Sequence, residues 1–368
     1  MKLVSADAYR KALALPDLTD PANGPHALQL LLNDVIHALV TAWGCPLVVH
    51  RGSPLVSVAD NYERLLYEPD AAARDARYTR YVTRRRVLRT HTTALIPGLL
   101  RSLARAPYDD VLLACPGLVY RRDAIDRQHV GEPHQLDLWR IAARPLGQPD
   151  LREMIALAVG SLVPGAEWRK NDVDHPYTEQ GLEIEVRRGD EWVELAECGL
   201  ASPKVLGQAD LPTHGGLAMG IGLDRALMLR KGIDDIRLLR STDPRVASQL
   251  RDLEPYRPIS PLPPVRRDLS IAVAAGRDVE ELGDRVRAAL GEEAEAVEAV
   301  EILGETPYDE LPPQAIERLG IAPGQTNLLV RVTLRRPTRT LTDADANRLR
   351  NAIYAAVHEG NVHQWAAS

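Results

Sequence analysis

Apolar positions recur at helical spacing in three segments of the chain. The first, HALQLLLNDVIHALVTAW over 26–43, follows the helix-breaking stretch DPANGP and predicts a helix near the amino terminus. The other two, DVEELGDRVRAAL over 278–290 and TDADANRLRNAIYAAVHEG over 342–360, predict helices near the carboxyl terminus. Thr342 and Asp345 have the spacing of a capping box, so we expect the last helix to begin after Thr342.

Between about residues 60 and 250, helical and strand-like stretches alternate irregularly. Extended stretches come in two pairs, VLLACPGLVYR with HQLDLWRIAA and LEIEVRR with EWVELAECGL. The second pair is joined by GDE, which predicts a β-hairpin. There is no βαβ alternation and no GxGxxG after a strand, so the pattern argues against a Rossmann domain. It favours an α+β domain built on an antiparallel sheet.

The last part of the chain has its own order of elements. DLSIAVA, VEAVEILG and TNLLVRVTLR predict strands, NVHQW predicts a short final strand, and two helices lie between them. This βαββαβ order indicates a ferredoxin-like domain, with PYDELPPQAIERLGIAPGQ as a long excursion between its second and third strands. The proline-dense EPYRPISPLPPVRR before it predicts an extended linker. The predicted organisation is an extension of helix and strand packed on the core over 1–57, the α+β domain over 58–252, the linker over 253–265 and the ferredoxin-like domain over 266–368.

Composition narrows the class of protein. The net charge of −6 excludes a protein that binds nucleic acid through bulk positive charge, so any RNA contact must come from local arginine clusters. No run of about 18 apolar residues occurs, and MKLVSADAYR lacks the apolar centre of a signal peptide. Cys45, Cys115 and Cys198 are odd in number and widely spaced, which argues against disulfides and a CxxC metal site. We expect a cytoplasmic protein without a membrane span.

The stretch GLAMGIGLDRALMLRKGIDDIRLL, over 216–239, carries the clearest chemical signal. Gly220 and Gly222 allow close approach of the backbone to a ligand, and Arg225 opens a helical pattern that can stop at Gly232. Taken alone, such glycines more often mark a bulge or close packing, and a single arginine is more often structural. His134, taken alone, is best interpreted as a hydrogen-bonded structural histidine.

Three stretches in one order resemble class II aminoacyl-tRNA synthetases of the phenylalanyl type. GLVYRRDAIDRQHVGEPHQLDLW resembles the second signature of the α-subunit, HPYTEQGLEIEV with WVELAECGLASPKVL resembles its amino-acid pocket, and GLAMGIGLDRALMLRKGIDDIRLLRSTDP resembles the third signature. RRDLSIAV and RTLTDADANRL resemble the anticodon-binding domain of single-chain mitochondrial forms. The resemblance covers roughly 60–360. It implies the class II antiparallel sheet flanked by helices, with a ferredoxin-like anticodon-binding-type domain at the carboxyl end.

The resemblance implies ATP and Mg²⁺ as cofactors and assigns residues to them. It makes Arg121, His129 and Arg225 the catalytic residues, since they match positions that contact the α-phosphate, the triphosphate and the γ-phosphate end. The implied ATP-binding set is Arg121, Asp123, His129, Gly220, Gly222 and Arg225. Glu183 and Glu194 are candidate Mg²⁺ ligands, although both lie on strand-like segments where a solvated role is equally open.

An amino-acid pocket follows from the same resemblance. Its implied residues are His91, Thr93, Gln135, Asp137, His175, Tyr177, Ala201 and Ala218. Asp137 is one methylene shorter than the usual glutamate, Glu197 stands where the family has glycine, and His175-Pro176-Tyr177 replaces a Phe-Pro-Phe sequence. A pocket with a histidine edge can take phenylalanine or a ring that carries a polar group, because an unpaired buried polar group penalises the wrong substrate.

The expected function is activation of phenylalanine or a related aromatic amino acid with ATP, followed by transfer to tRNA. The alternatives are a ligase that transfers the adenylate to another acceptor and a non-catalytic tRNA-binding paralogue. Arg266, Arg267, Arg335 and Arg339 are candidate tRNA contacts, or an ordinary solvated face. NYERLLYEPDAAARD resembles the dimer segment of the family but lacks its proline, so a monomer, a homodimer and a second subunit all stay open.

The chain contains no phenylalanine. Family positions that usually carry it have Tyr62, Pro133, His175, Tyr177, Met219, Leu239, Leu250 and Ile271. Tyrosine, leucine, isoleucine and methionine are common substitutes for a buried phenylalanine ring, whereas the histidine at 175 and the proline at 133 are not. We hypothesise that synthesis of this protein is selected to be independent of charged phenylalanine tRNA, with compositional drift as the alternative. Equal yields under phenylalanine starvation of this chain and of a Leu239→Phe, Leu250→Phe variant would contradict the hypothesis.

Overall fold

The computed structural model describes residues 3–76, 78–106, 108–122, 126–258, 263–336 and 339–363. The fold is α+β, as predicted. The described residues form two compact units. The first comprises those within 1–121, 132–233 and 247–256, and the second those within 122–131, 234–246 and 257–368. The predicted domain boundaries stay predictions.

Two sheets form the first unit. The strands are β1 Leu47–Val49, β2 Leu55–Ser57, β3 Tyr81–Thr83, β4 Arg86–Leu88, β5 Asp110–Leu118, β6 His134–Ala142, β7 Trp168–Asp172, β8 Thr178–Arg188, β9 Glu191–Ala201 and β10 Gly215–Gly222. The seven-stranded sheet has the order β1-β5-β6-β10-β9-β8-β7, and every pair in it is antiparallel except β1 with β5. A small antiparallel sheet has the order β2-β4-β3. The predicted pairing of VLLACPGLVYR with HQLDLWRIAA is confirmed as β5 with β6, and the predicted hairpin is confirmed as β8 with β9.

Helices flank the large sheet. They are α1 Ala6–Ala14, α2 Ala27–Trp43, α3 Val58–Asn61, α4 Ile96–Arg105, α5 Gln148–Leu162, α6 Pro203–Gln208 and α7 Leu223–Lys231. The predicted amino-terminal helix is α2, which ends at Gly44 in the left-handed conformation and packs against α5 and α7. Gly232 ends α7 in the same way, as its position after the helical pattern predicted.

The two faces of the large sheet have different neighbours. Trp139 lies in one core cluster with Ile96 and Leu100 of α4, and Asp137 shares its face because side chains alternate along β6. Met219 pairs in register with Leu138 and so points to the opposite face, where it is only 1% exposed. It is a core residue. Leu239, Leu250 and Ile271 are also buried, which confirms that these replacements for phenylalanine fill the interior.

The second unit contains a three-stranded antiparallel sheet of order β11-β13-β12. Its elements are β11 Val265–Ala274, α9 Val279–Leu290, β12 Val297–Pro307, α10 Pro313–Leu319, β13 Gln325–Leu334 and α11 Asp343–Val357, and α8 Pro244–Ala247 precedes them. The predicted capping box of Thr342 and Asp345 is confirmed. Residues 361–363 form no strand, and 364 and 365 lie outside the described residues. The complete βαββαβ arrangement therefore stays a prediction.

One face of this small sheet is covered by α9 and α11. Leu282 and Val286 of α9 and Leu349 and Ile353 of α11 lie in one core cluster with Ile271 of β11. These positions follow the helical spacing seen in the sequence, because each helix buries one apolar stripe against the sheet. Among the helices that the structure describes, none is long and apolar enough to cross a membrane.

Candidate active site

A narrow pocket opens on the α4 face of the large sheet, where β6, β10 and β9 lie side by side. Gly220 of β10 pairs in register with Asp137 of β6 on one side and with Glu197 of β9 on the other. Directly opposed residues share a face, so two carboxylates flank one glycine. The pocket is lined by Asp137, His175, Tyr177, Thr178, Glu197, Cys198, Ala218, Met219 and Gly220.

Asp137 is buried and held by two neutral donors. Thr93 Oγ1 donates to Asp137 Oδ2 at 2.5 Å, and Trp139 Nε1 donates to Asp137 Oδ1 at 2.6 Å. Burial raises the pKa of Asp137 to about 7, although both hydrogen bonds act to lower it. A positive charge placed beside this carboxyl would favour its ionised form, so the group is suited to receive an ammonium.

Glu197 forms a second acidic group in the pocket, and it is paired with His175. His175 Nε2 lies 2.9 Å from Glu197 Oε2, and this hydrogen bond raises the pKa of His175. Burial alone would raise the pKa of Glu197, but the hydrogen bond from His175 and the charges of His175, Arg121 and Arg225 bring it below its ordinary value. Glu197 is therefore ionised at neutral pH and interacts with both predicted phosphate-binding arginines.

The two arginines belong to different elements. Arg121 forms an isolated β-bridge with Thr79, and its Nε donates to the backbone oxygen of Thr90 at 2.8 Å. Arg225 lies in the first turn of α7, where its Nη1 donates to Glu194 Oε2 at 3.0 Å. The charges of both arginines lower the pKa of Glu197. In the sequence, these two arginines are related only by the resemblance of their motifs to one family.

Gly220 and Gly222 are not required by protein packing. A Cβ on Gly220 would meet Asp137 Oδ2 at 3.6 Å, and one on Gly222 would meet the Arg225 Cβ at 3.9 Å, both ordinary van der Waals contacts. By contrast, a Cβ on Gly181 would lie 2.3 Å from the backbone oxygen of Val173. The described protein atoms therefore leave space beside both glycines.

An aromatic group that includes His91 borders the pocket. The His91 ring stacks on Tyr67 with centroids 5.9 Å apart, and Tyr67 lies 6.2 Å from Tyr177. Burial, together with the charge of Arg121, lowers the pKa of His91 to about 3, so the ring is neutral. Neither ring nitrogen makes a hydrogen bond of ordinary geometry within the described part of the chain. These nitrogens are available to a ligand.

Sequence reasoning missed Tyr67 and Trp139. Trp139 stacks on Tyr177 with centroids 6.2 Å apart and bonds to Asp137. A signal for it existed, because residues two apart on a strand share a face and Trp139 follows Asp137 by two. Tyr67 comes from a loop between α3 and β3, and nothing in the local pattern relates that loop to the pocket.

His134 and Asp224 form a buried pair beside the predicted catalytic residues. The His134 backbone N–H donates to Asp224 Oδ2 at 2.6 Å, and His134 Nδ1 lies 2.8 Å from Asp224 Oδ1. The Leu18 N–H donates to His134 Nε2 at 3.1 Å, so that nitrogen is unprotonated. The structural interpretation of His134 is confirmed. The pair also links the residue before Gln135 to the residue before Arg225, which fixes the starts of β6 and α7 relative to each other.

The remaining predicted amino-acid contacts are partly brought together. The Thr92 N–H donates to Gln135 Oε1 at 3.3 Å, and Ala218 lines the pocket. Ala201 lies farther along the face of Glu197, in the core cluster near Val205, and is absent from the pocket lining. Its predicted contact with the amino acid stays a prediction.

The predicted Mg²⁺ ligands do not form a ready-made cation site. Glu183 pairs in register with Glu197, and Glu194 pairs with Glu185, so the two predicted ligands are not opposite each other. No group of three or more His, Cys, Asp or Glu that could hold a metal occurs among the described residues. Two part-exposed carboxylates fit a Mg²⁺ that is held mainly by phosphate oxygens and water.

Of the other predicted ATP contacts, Asp123 lies outside the described residues. His129 belongs to the second unit, where its Nδ1 lies 2.7 Å from Asp126 Oδ2. Burial acts to raise the pKa of Asp126, but the hydrogen bond and charge of His129, together with the backbone N–H groups of Gln128 and His129, lower it below its ordinary value. The role of His129 at the triphosphate stays a prediction.

The predicted tRNA contacts are largely ion-paired within the second unit. Arg267 Nη2 lies 2.9 Å from Asp343 Oδ1, Arg335 Nε lies 2.7 Å from Glu298 Oε2, and Arg339 Nη1 lies 3.7 Å from Asp345 Oδ2. Arg266 is exposed. Pairing reduces the net positive charge that these side chains present to RNA, so their role stays a prediction.

The antiparallel sheet flanked by helices is consistent with one class of protein, the class II aminoacyl-tRNA synthetases. The family described as tRNA synthetases class II core domain (F) matches residues 21–250, more than half of the chain. The chain belongs to this family, whose members are ligases.

Curated relatives include two organellar proteins. The chain is 27% identical over 400 residues to “Probable phenylalanine–tRNA ligase, mitochondrial” of Drosophila melanogaster, covering 90% of this chain and 83% of that protein. It is 27% identical over 315 residues to “Phenylalanine–tRNA ligase, chloroplastic/mitochondrial” of Arabidopsis thaliana, covering 82% and 68%. Because the names of these two relatives refer to organelles, the cytoplasmic location of this chain stays a prediction.

A bacterial relative and a solved structure are also similar. The phenylalanine–tRNA ligase alpha subunit of Prochlorococcus marinus (strain NATL2A) is 33% identical over 203 residues, which cover 55% of this chain and 59% of that subunit. The crystal structure of pyrrolysyl-tRNA synthetase from Desulfitobacterium hafniense is 16% identical with a TM-score of 0.47, over 64% of this chain and 78% of that one.

Proposed function

We propose that this chain activates phenylalanine or a related aromatic amino acid with ATP and transfers the product to tRNA. The observation that carries the proposal is the pocket in which Asp137 and Glu197 flank a bare Gly220 beside Tyr177, and in which the charges of Arg121 and Arg225 lower the pKa of Glu197. Two permanent positive charges beside an acidic, aromatic-lined pocket suit a substrate pair of an amino acid and a polyphosphate.

In the activation step, the amino-acid carboxylate attacks the α-phosphorus of ATP, an aminoacyl-phosphate bond forms, and pyrophosphate leaves. The protein contributes position and charge rather than a covalent group. Arg121 stabilises the negative charge that builds at the α-phosphate, and Arg225 holds the γ-phosphate end. Glu183 and Glu194 are the residues that would hold Mg²⁺, which would supply charge neutralisation to the triphosphate.

Asp137 and Gln135 orient the substrate through its α-ammonium. Thr93 and Trp139 hold the Asp137 carboxyl in a fixed direction, and the Thr92 N–H does the same for the Gln135 amide oxygen. The neutral His91 ring presents unprotonated nitrogen to the polar end of the amino acid. Fixed side chains lower the reorganisation needed as the reaction proceeds.

The ring of the substrate would lie against His175 and Tyr177, above Ala218. Tyr177 is supported on one side by Trp139 and on the other by Tyr67, so the aromatic wall is preformed. Offset aromatic contacts of this kind stabilise a bound ring beyond simple burial. This supports an aromatic amino acid as substrate.

The proposal is tested by pyrophosphate exchange with each amino acid, followed by charging of total tRNA. We expect ATP-dependent exchange with an aromatic amino acid and a charged tRNA product. Exchange without charging would favour a ligase with another acceptor, an alternative kept open by the ion pairs of Arg267, Arg335 and Arg339. Absence of exchange with every amino acid, together with binding of tRNA, would favour the non-catalytic paralogue.

A further inference from the structure

The pocket contains one acidic group more than an unmodified aromatic amino acid requires. Asp137 and Glu197 flank Gly220, two strand spacings apart, or about 10 Å. A zwitterionic amino acid brings a single ammonium. Under the proposed function, on which this inference rests, Asp137 and Gln135 receive that ammonium, which leaves Glu197 for another group.

Glu197 is the more exposed of the two carboxylates. Its side chain is 38% exposed, whereas Asp137 is 3% exposed as a residue and accepts one hydrogen bond at each oxygen. His175 holds Glu197 at Oε2 and is itself only 13% exposed in its side chain. The pair therefore forms a fixed carboxylate–imidazole wall rather than a mobile surface contact.

A second polar atom in the same pocket is without a partner. Thr178 Oγ1 is buried and makes no hydrogen bond within the described part of the chain. Its position is set by packing, since a Cβ on Gly199 would lie 2.8 Å from the Thr178 Cβ. A buried hydroxyl without a partner costs stability unless a ligand satisfies it. Thr178 and Glu197 both line the pocket, so both can be satisfied by one polar substrate group.

A plain hydrocarbon ring fits this wall poorly. Binding a phenyl ring against Glu197 would remove part of its carboxylate from water without replacing those hydrogen bonds, and it would leave the buried Thr178 Oγ1 without a partner. A site built to bond a substrate O–H or N–H instead rejects the analogue that lacks it, by large factors. The aromatic side chains of Tyr67, Trp139 and Tyr177 still favour a flat substrate beside the polar wall.

We propose that Glu197, held by His175, is a specificity-determining residue, and that the substrate is an amino acid whose side chain carries an O–H or N–H donor. Glu197 accepts that donor while Asp137 receives the α-ammonium. The substrate class is therefore hydroxylated or amino-bearing aromatic amino acids, rather than phenylalanine itself.

The test measures pyrophosphate exchange with the twenty standard amino acids, meta-tyrosine and 4-aminophenylalanine. For the unaltered chain we expect a kcat/KM at least about 100-fold higher for a donor-bearing aromatic amino acid than for phenylalanine. In Glu197→Ala this ratio should fall to about 1, mainly through the KM of the donor-bearing substrate. In Glu197→Gln much of the ratio should remain, because the amide oxygen still accepts.

Glu191→Ala, an exposed glutamate at the start of the same strand, is the matched control and should leave the ratio unchanged. If Glu197→Ala does not fold, as judged by circular dichroism, Glu197→Gln and His175→Asn supply the comparison. The inference is overturned if the unaltered chain prefers phenylalanine, or if Glu197→Ala keeps the preference for donors. Either result leaves the proposed function standing, whereas absence of exchange with every amino acid removes both.

Discussion

Asp137 in the first unit and Glu298 in the second unit are both buried carboxylates, and they are surrounded in different ways. In the pocket, Asp137 is enclosed by the neutral donors Thr93 and Trp139. In the second unit, Glu298 is 5% exposed and has Arg127 Nε, Arg335 Nε and Arg237 Nη2 at 2.8, 2.7 and 3.4 Å. Among the residues that the structure describes, no cationic side chain is bonded to Asp137, whereas three are paired with Glu298.

The difference separates a site for a ligand from a structural ion cluster. Around Glu298, charges are compensated inside the protein, and Arg237 also pairs with Asp235 and donates to the backbone oxygens of Glu295 and Arg335. Around Asp137, burial leaves the carboxyl with a raised pKa and no counter-charge. A substrate ammonium can supply that missing charge. The cluster should therefore govern stability, and the pocket should govern catalysis.

Arg225→Ala is the substitution from which we expect the largest effect. Loss of the charge at the γ-phosphate end should reduce the exchange rate at least about 1,000-fold, because the reaction depends on fixed positive charges that stabilise the phosphates. Binding of tRNA and the free energy of unfolding should change little. Exchange assays, filter binding and urea unfolding check this, with Arg10→Ala, an exposed arginine of α1, as control. Near-normal exchange would show that the role assigned to Arg225 is wrong.

Asp137→Asn should change how stability depends on pH. The folded pKa of about 7 lies above the ordinary 3.8, so the protonated carboxyl favours the folded state. That contribution is complete below about pH 4 and is lost as pH rises to about 7. Relative to Asp137→Asn, the unaltered chain should lose on the order of 4 kcal/mol over this range.

Urea unfolding of both proteins at several pH values measures this difference, and the other carboxylates cancel because both proteins contain them. Parallel stability curves for the two proteins would contradict the raised pKa. They would also indicate that the charge of Asp137 is compensated inside the protein, as that of Glu298 is.

Glu298→Ala should lower the free energy of unfolding by about 3 kcal/mol, because it leaves neighbouring guanidinium groups without their common carboxylate. Exchange activity at a temperature well below the transition should be nearly unchanged. Thermal unfolding and exchange measured on the same preparation test both parts. A loss of exchange that exceeds the loss of folded protein would mean that the cluster is not purely structural.

Thr342→Ala should have the smallest effect, and it calibrates the others. Removal of the cap of α11 should cost about 1 kcal/mol, since the Asp345 N–H loses its side-chain acceptor. Exchange should be unaffected. Urea unfolding measures the change, and Thr342→Ser, which keeps the hydroxyl, should restore most of the stability. A Thr342→Ser value as low as that of Thr342→Ala would argue against the capping box.

The helices of the second unit were predictable because their signals are local. Val286 and Leu349 fall at helical spacing, and Thr342 with Asp345 forms a cap within one turn. The hairpin of β8 and β9 was predictable for the same reason, since Gly189 at its turn adopts a positive φ of 60°. The strand expected at 361–365 rested on a short polar segment, and residues 361–363 do not pair with the sheet.

The candidate site was predictable only in part. Residues such as Arg121, Gln135 and Arg225 lie in motifs with fixed spacing, so their resemblance to a family can be recognised one motif at a time. Tyr67, Trp139 and Thr178 lie outside those positions, and their importance depends on what packs against them. The unpaired state of Thr178 cannot be read from its neighbours in the chain.

The sequence by itself determined the class of this protein, the order of its elements and the arginines expected at the phosphates, because these depend on periodicity, caps and motif spacing. Only the tertiary structure decided that Asp137 and Glu197 flank Gly220 and that Thr93 and Trp139 occupy one carboxyl while His175 holds the other. The physical reason is that strand register and burial set which charges are neighbours, and both arise from contacts between residues far apart in the chain.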